Sequence, residues 1–346
     1  MKYFAGLDVS LKENSMCVVD DECGVVFRRS LPFCPLAVRD ALEEQKVTPQ
    51  RIVHESGQIS IWLQRQLQGL GLPAICIDAR SAHKVLSAKL NNSDRSDAEG
   101  LAQLARIGWF TAVHVRSVDA DRLRTIIGAR DRFVRLRMEV EAHMRGILKT
   151  FGIRLTAIGN GRQRQRFRDQ LSVARQSDPA RGVIIDQVLP SHEAVCSAAA
   201  PLEDEIAAIA KRHDLSRRLM TIPGVGPVVA LSFLALIENT ERFPKTANVG
   251  AFLDLTPRRY QSGEVDYSGR VSKRGDAAMR RLLYEAASTL ISRVKRYLPL
   301  KSWAVRLAAR RGFKKAAVAT ARKLAVLMLT LWKTGEEFHW TKEAAT

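Results

Sequence analysis

Apolar positions follow two rhythms along this chain. Up to about residue 115 they form short runs broken by polar turns; from about 119 they recur every third or fourth residue. Residues 3–9, 15–20 and 24–30 are apolar or β-branched runs separated by Lys12-Glu-Asn14 and Asp20-Asp-Glu-Cys-Gly24, which predicts three consecutive antiparallel strands. A helix over 36–46, a strand over 51–55, a helix over 59–70, a strand over 73–78 and helices over 80–90 and 97–108 follow. The order βββαβαβα is that of RNase H-like α/β folds. Beyond it, Ile126, Ala129, Phe133, Leu136, Val140, Met144, Ile147 and Phe151 trace one stripe of a long helix. A second stripe runs through Val195, Ala199, Leu202, Ile206 and Ile209, with Pro201 expected to kink or break it. The polar, basic run Asn160–Arg168 between them predicts a loop or tip. Two long helices with a polar end form an antiparallel hairpin, suited to oligomerisation or to gripping a strand, or serving as a spacer.

A third segment starts near 217, where Leu219-Met-Thr-Ile-Pro-Gly-Val-Gly-Pro-Val-Val-Ala230 reads as helix, glycine hairpin, helix. Gly224 and Gly226 would let the backbone approach a phosphate, with the free N–H groups of the next helix favouring the anion. The alternative is a tight connection that needs glycine for its backbone angles. The pattern thus predicts an α/β RNase H-like domain over 1–115, a helical hairpin of coiled-coil type for oligomerisation over 116–216, and a mainly α domain with a helix-hairpin-helix element over 217–346.

Charge changes this picture from a fold to a function class. The net charge is +19 and the pI about 10.2, while 46% of residues are hydrophobic, so the excess charge belongs to a folded protein and points to nucleic acid. A membrane is the weaker partner, because no apolar run is long enough to span one. The N-terminal run enters a strand directly, without a secretory pattern. Five cysteines (Cys17, Cys23, Cys34, Cys76 and Cys196) are odd in number and form no Cys-x-x-Cys pair. Both features predict reduced thiols in a cytoplasmic protein.

Four carboxylates carry the candidate chemistry. Asp8 lies in Tyr3-Phe-Ala-Gly-Leu-Asp-Val-Ser10 and Glu55 in Ile52-Val-His-Glu-Ser-Gly57, each ending or interrupting an apolar strand run. Asp94 and Asp97 are three apart at a helix start, so both can face one way. An acidic cluster at strand ends in a basic chain is what a metal-dependent phosphodiester enzyme needs: carboxylates hold divalent ions about 3.5–4 Å apart while cations elsewhere hold the polyanion. Taken singly, Asp97 could serve the helix dipole and Asp94 could be a cap. Downstream, Ser262 is flanked by two short basic loops bearing Arg258, Arg259, Arg270, Lys273 and Arg274, and a cationic helix with Arg280 and Arg281 follows. These cations could stabilise a phosphorane-like transition state, or Ser262 could be a turn former. No histidine lies nearby to act as its base. His54 reads as a structural strand residue.

Together Gly6-Leu-Asp-Val-Ser10, His54-Glu-Ser-Gly57, Ser93-Asp-Arg-Ser-Asp-Ala98, Ile222-Pro-Gly-Val-Gly226, Leu255-Thr-Pro-Arg-Arg-Tyr-Gln-Ser-Gly263 and Ser272-Lys-Arg-Gly275 closely resemble, in order and spacing, the DEDD transposases of the insertion-sequence one-ten family. These are bridge-RNA-guided recombinases of bacterial mobile elements. The resemblance implies that Asp8, Glu55, Asp94 and Asp97 form the metal-binding tetrad of a RuvC-like domain holding Mg²⁺. It implies that Ser262 is the nucleophile of a C-terminal transposase domain, forming a covalent phosphoserine with DNA. It further implies element-end and target DNA and a noncoding bridge RNA as partners, and a homo-oligomer, dimer or tetramer, with composite sites across protomers. One departure is Asp254, where the family usually has glycine before Leu-Thr-Pro. The alternatives are a RuvC-like endonuclease that forms no serine adduct, and a non-catalytic nucleic-acid binder.

Overall fold

A computed structural model describes residues 1–86, 94–156, 161–262, 265–271 and 275–340. The chain divides into two compact units, Met1–Ser117 and Val118–Thr346. The first unit runs β1 (Tyr3–Val9), β2 (Glu13–Asp20), β3 (Val25–Pro32), α1 (Pro35–Glu44), β4 (Pro49–Glu55), α2 (Ser60–Gly69), β5 (Ala74–Ile77), α3 (Ala79–Leu86) and α4 (Asp94–Ile107). Its sheet has the order β3-β2-β1-β4-β5, antiparallel through β1 and parallel from β1 to β5. The predicted order of elements is therefore the observed one, in a mixed sheet.

Period-two alternation gives that sheet two apolar faces. Ala5, Leu7, Met16, Val18 and Ile52 pack with Val38 and Leu42 of α1 and Leu63 and Leu67 of α2. Phe4, Cys17, Val19, Val53 and Ile77 face Ala98, Leu101, Ala102 and Ala105 of α4. His54 is buried and donates its Nε2–H to Gln64 Oε1 at 2.8 Å, while the Gln64 amide donates to Ala74 O. Burial pushes the imidazole pKa down, so His54 is a neutral structural link.

The second unit is mostly helical: α5 (Val118–Thr150), α6 (Gly161–Gln176), α7 (Pro179–Arg212), α8 (Asp214–Met220), α9 (Pro227–Ile237), α10 (Asn248–Phe252), the strands β6 (Pro257–Ser262) and β7 (Val265–Val271), α11 (Ala277–Arg293), α12 (Pro299–Arg311) and α13 (Phe313–Thr334). α5 and α7 lie antiparallel, as Arg130–Glu203 at 3.0 Å, Glu141–His192 at 3.2 Å and the shared cluster of Met144, Leu148 and Ile185 require. The basic run expected as a loop is largely α6; its Phe167, Leu171 and Ala174 recur at helical spacing and are buried in that cluster. α7 runs unbroken through Pro190 and Pro201. Packing through Ile185 on one side and Ala199 and Ile206 on the other outweighs the hydrogen bonds lost. Of the two basic loops expected around Ser262, the described parts are strands, paired antiparallel as β6 and β7, while residues 272–274 of the second lie outside the described residues. α9 is buried on most of its surface and forms the centre of a core shared with α11 and α13.

Candidate active site

A strand register sets up the acidic site. β1 and β4 run parallel with Leu7 opposite His54, so the following residues, Asp8 and Glu55, stand side by side where the two strands end. Asp8 shares a face with Phe4 and Gly6, and Glu55 with Val53, which is the face α4 covers. Gly6 admits α4 so closely that a Cβ there would lie 2.1 Å from Ala98 O and 2.3 Å from Ala102 N. Only a residue without a side chain fits this seat. Asp97 immediately precedes the contact residue Ala98, and Asp94 opens the helix less than a turn earlier. The close seat thus delivers the N-terminal turn of α4 to the strand ends that carry Asp8 and Glu55.

Glu55 reports the electrostatics of this arrangement. Burial raises its carboxyl pKa first, the charges of Asp8, Asp97 and Asp78 raise it further, and His83 opposes them. The structure therefore brings Asp8 and Asp97 within electrostatic reach of Glu55 and adds Asp78 and His83, which the sequence pattern alone does not single out. A signal was available: Asp78 follows the strand run Ala74–Ile77 as Glu55 ends Ile52–His54. Asp78 also accepts the Ser81 N–H and hydroxyl, both at 2.8 Å, at the start of α3.

Among the described residues, no three acidic, His or Cys side chains are already gathered around one point as ligands. The chemistry of the donor set nevertheless fits a hard cation. Mg²⁺ takes oxygen ligands, keeps several waters and uses one or two carboxylates together with substrate phosphates, so it needs no complete protein cage. A cation would also offset the neighbouring negative charges that, after burial, raise the Glu55 carboxyl pKa.

In the second unit Ser262 closes β6, paired with Val265 at the turn of the hairpin. Arg258 and Arg259 lie on β6 and Arg270 on β7, while Lys273 and Arg274 lie outside the described residues. The base of the hairpin is tied by Asp254. Its φ of +53° lies in the left-handed region, which costs a residue with a side chain about 1–2 kcal/mol. Its carboxylate accepts the Gly275 N–H and lies 3.8 Å from Arg280, which donates to Gly275 O at 2.6 Å. A Cβ on Gly275 would meet Phe252 O at 2.8 Å, so the chain leaving the hairpin packs directly on the turn that enters it.

Asp276 then caps α11, accepting the Met279 N–H and Arg124, each at 2.8 Å. Burial alone would raise its carboxyl pKa; these hydrogen bonds outweigh burial and hold it below the usual range. Of the other basic candidates, Arg280 is occupied as above, and Arg281 pairs with Asp131 and, at 3.2 Å, with Glu285. Gly224 has φ +90° and would press a Cβ to 2.5 Å from Ala286 O, so α11 dictates glycine there. Gly226 caps α9 with open space where a side chain would project.

Two family models match the chain. One, a DEDD-type model of IS110 described as "Transposase", covers residues 5–153; the other, "Transposase IS116/IS110/IS902 family", covers 216–301. The transposase for insertion sequence element IS1111A of Coxiella burnetii is 27% identical, over 96% of this chain and 90% of that protein. A probable family 20 transposase of Pseudomonas aeruginosa is 26% identical, over 94% of this chain and 95% of that protein. Among solved structures, Thermus thermophilus RuvC aligns at 12% identity over 32% of this chain and 99% of its own, with a TM-score of 0.25.

Proposed function

This chain belongs to the IS110 family of transposases and is a DNA transposase/recombinase; from that premise we propose that it exchanges DNA strands through two cooperating sites, a divalent-metal carboxylate site and a serine nucleophile. The observation that carries the reading is the electrostatic coupling of Glu55 to Asp8 and Asp97 at one sheet face, with α4, which opens at Asp94, seated on Gly6. Asp8, Glu55, Asp94 and Asp97 would hold Mg²⁺. When bound, the ion supplies charge stabilisation to the phosphoryl oxygens.

The protein's own groups would do the rest. Ser262 Oγ attacks the scissile phosphorus, forming a phosphoserine ester as the bond to one strand's ribose oxygen breaks. The serine proton would pass to a tetrad carboxylate, which returns it to the departing oxygen, so that no net proton is gained or lost. Attack by the hydroxyl of the incoming strand reverses these steps and frees the serine. Arg258, Arg259 and Arg270, together with Lys273 and Arg274, would neutralise charge on the phosphate. The tetrad of one protomer would serve the serine of another in a homo-oligomer. A noncoding bridge RNA would select donor and target by base pairing while the protein reads backbone shape. No helix among the described residues is long and apolar enough to cross a membrane, in keeping with action on DNA in the cytoplasm.

The test is a denaturing gel of the purified protein with Mg²⁺, the RNA flanking its element and labelled element-end DNA. A protein–DNA adduct is expected, and it should vanish with Ser262→Ala. Cleavage without an adduct, unchanged by Ser262→Ala, would leave a RuvC-like endonuclease and remove the serine from the mechanism.

A further inference from the structure

The fifty residues from Ala286 to Gly335 hold twelve Lys or Arg and not one Asp or Glu. Elsewhere the protein pairs many of its arginines, as in Arg28–Glu99, Arg130–Glu203 and Arg217–Asp214. Within the stretch, several cations have other work. Lys301 donates to Val294 O and Lys333 to Phe243 O, and Arg296 and Lys323 lie over the rings of Trp340 and Trp303. Five do not. Arg306, Arg310, Arg311, Lys314 and Lys315 are exposed around the reversal from α12 to α13, and no ion pair among the described residues involves them.

The fold concentrates these five. Ala304 on α12 and Ala316 and Ala317 on α13 are buried in the same unit, so the reversal at Gly312, with φ +83°, projects outward. Phe313, 44% exposed, sits at its crest. A solvated helical face normally intersperses both charges, because like charges clustered without partners repel. Five uncompensated cations around one turn therefore mark a surface charged for a polyanion. Most of it lies beyond residue 301, where the second family match ends.

We infer that the α12–α13 reversal is a docking surface for the phosphate backbone of duplex DNA, separate from the tetrad and from Ser262. The inference rests on the chain's action on DNA and not on the serine mechanism. Arg306 to Arg311 spans about 7.5 Å of helix axis, or roughly two base-pair rises of about 3.4 Å along the duplex axis. Single-stranded RNA is typically read on platforms of several aromatic rings, whereas only Phe313 is exposed at this crest. Contacts of this kind carry no sequence preference and hold DNA in place while other parts of the complex select it.

The experiment measures binding by the full-length protein, without Mg²⁺, to a fluorescent duplex of arbitrary sequence between about 50 and 200 mM salt. The variant replaces Arg310, Arg311, Lys314 and Lys315 with Gln. A control carries the same charge change at the scattered exposed residues Lys2, Lys46, Lys149 and Lys211. The expected result is at least about tenfold weaker binding at the reversal than in the control. The slope of log affinity against log salt should flatten by about 0.9 for each phosphate that the variant no longer neutralises. The pairwise variants R310Q/R311Q and K314Q/K315Q, whose smaller charge change protects folding, should each give about half the slope change. Equal losses in variant and control would reduce the effect to net charge and overturn the inference. So would unchanged binding by folded variants, or a loss confined to a structured RNA probe. Because neither metal nor cleavage enters the assay, its failure would leave the active-site reading standing.

Discussion

Replacing Gly6 with alanine adds one methyl group to a strand, a change that local propensity alone would favour by about 0.5–1 kcal/mol. The packing predicts the opposite. The new Cβ would lie 2.1 Å from Ala98 O, whereas an ordinary contact begins at 3.4 Å, so α4 must retreat by about 1.3 Å or tilt by an equivalent amount. Overpacking of this kind costs about 1–3 kcal/mol. The functional cost is larger, because Asp97 adjoins the contact and Asp94 lies one turn before it, and misplacing reacting groups by about 1 Å can cost about 100-fold. In cells carrying a plasmid-borne element, G6A should lower excision, read by junction amplification, by about two orders of magnitude. The purified variant should still unfold cooperatively. The obstructing atoms are backbone oxygen and nitrogen, so trimming α4 with Ala98→Gly should not restore activity. Near-normal excision by G6A, or rescue by Ala98→Gly, would refute the claim that this seat positions the carboxylates.

Three further outcomes test neighbouring steps. Glu55→Gln removes a charge repelled by Asp8 and Asp97; it should raise the melting temperature of the metal-free protein and abolish the upward shift that Mg²⁺ or Mn²⁺ gives wild type. A variant still stabilised by either ion would take Glu55 out of the ligand set. Asp276→Ala removes the α11 cap and the partner of Arg124, at a cost of about 1–2 kcal/mol near neutral pH. Because the folded-state pKa of Asp276 is depressed, its contribution is present above the unfolded value of about 3.9 and disappears as pH falls through the folded value. Denaturant titrations should show the gap between wild type and variant closing in that acid range; a gap independent of pH would assign the loss to packing. Asp254→Ala keeps the left-handed strain and loses the bond to Gly275, whereas Asp254→Gly loses the bond but sheds the strain. The alanine variant should therefore be less stable than the glycine variant by about 1 kcal/mol, and equal melting would contradict the backbone reading.

What the sequence made legible follows the range of the forces involved. Side-chain period is local, so the run from Tyr3 to Ile107 read correctly as βββαβαβα, and acids ending apolar runs pointed to strand ends. Long-range packing left weaker traces. In α6 the buried Phe167, Leu171 and Ala174 are outnumbered by arginines and glutamines, so composition suggested a loop where tertiary contacts fix a helix. The pairing of Arg259 with Ser268 and Tyr260 with Tyr267 was hidden because basic residues interrupt the alternation on which a strand assignment depends. Glycines carried information of a third kind. Gly6 reads as an ordinary strand residue until the backbone of α4 is placed against it, and Asp254 reads as a stray charge until its φ is known. Both belong to contacts between segments distant in sequence: Gly6 with Ala98, and Asp254 with Gly275. In each, a backbone conformation or a missing side chain sets the place of a segment that carries a candidate site residue. The candidate chemistry could be proposed because carboxylates and serine announce themselves by type. Their positioning could not, because it is done by residues whose significance lies in what they leave room for.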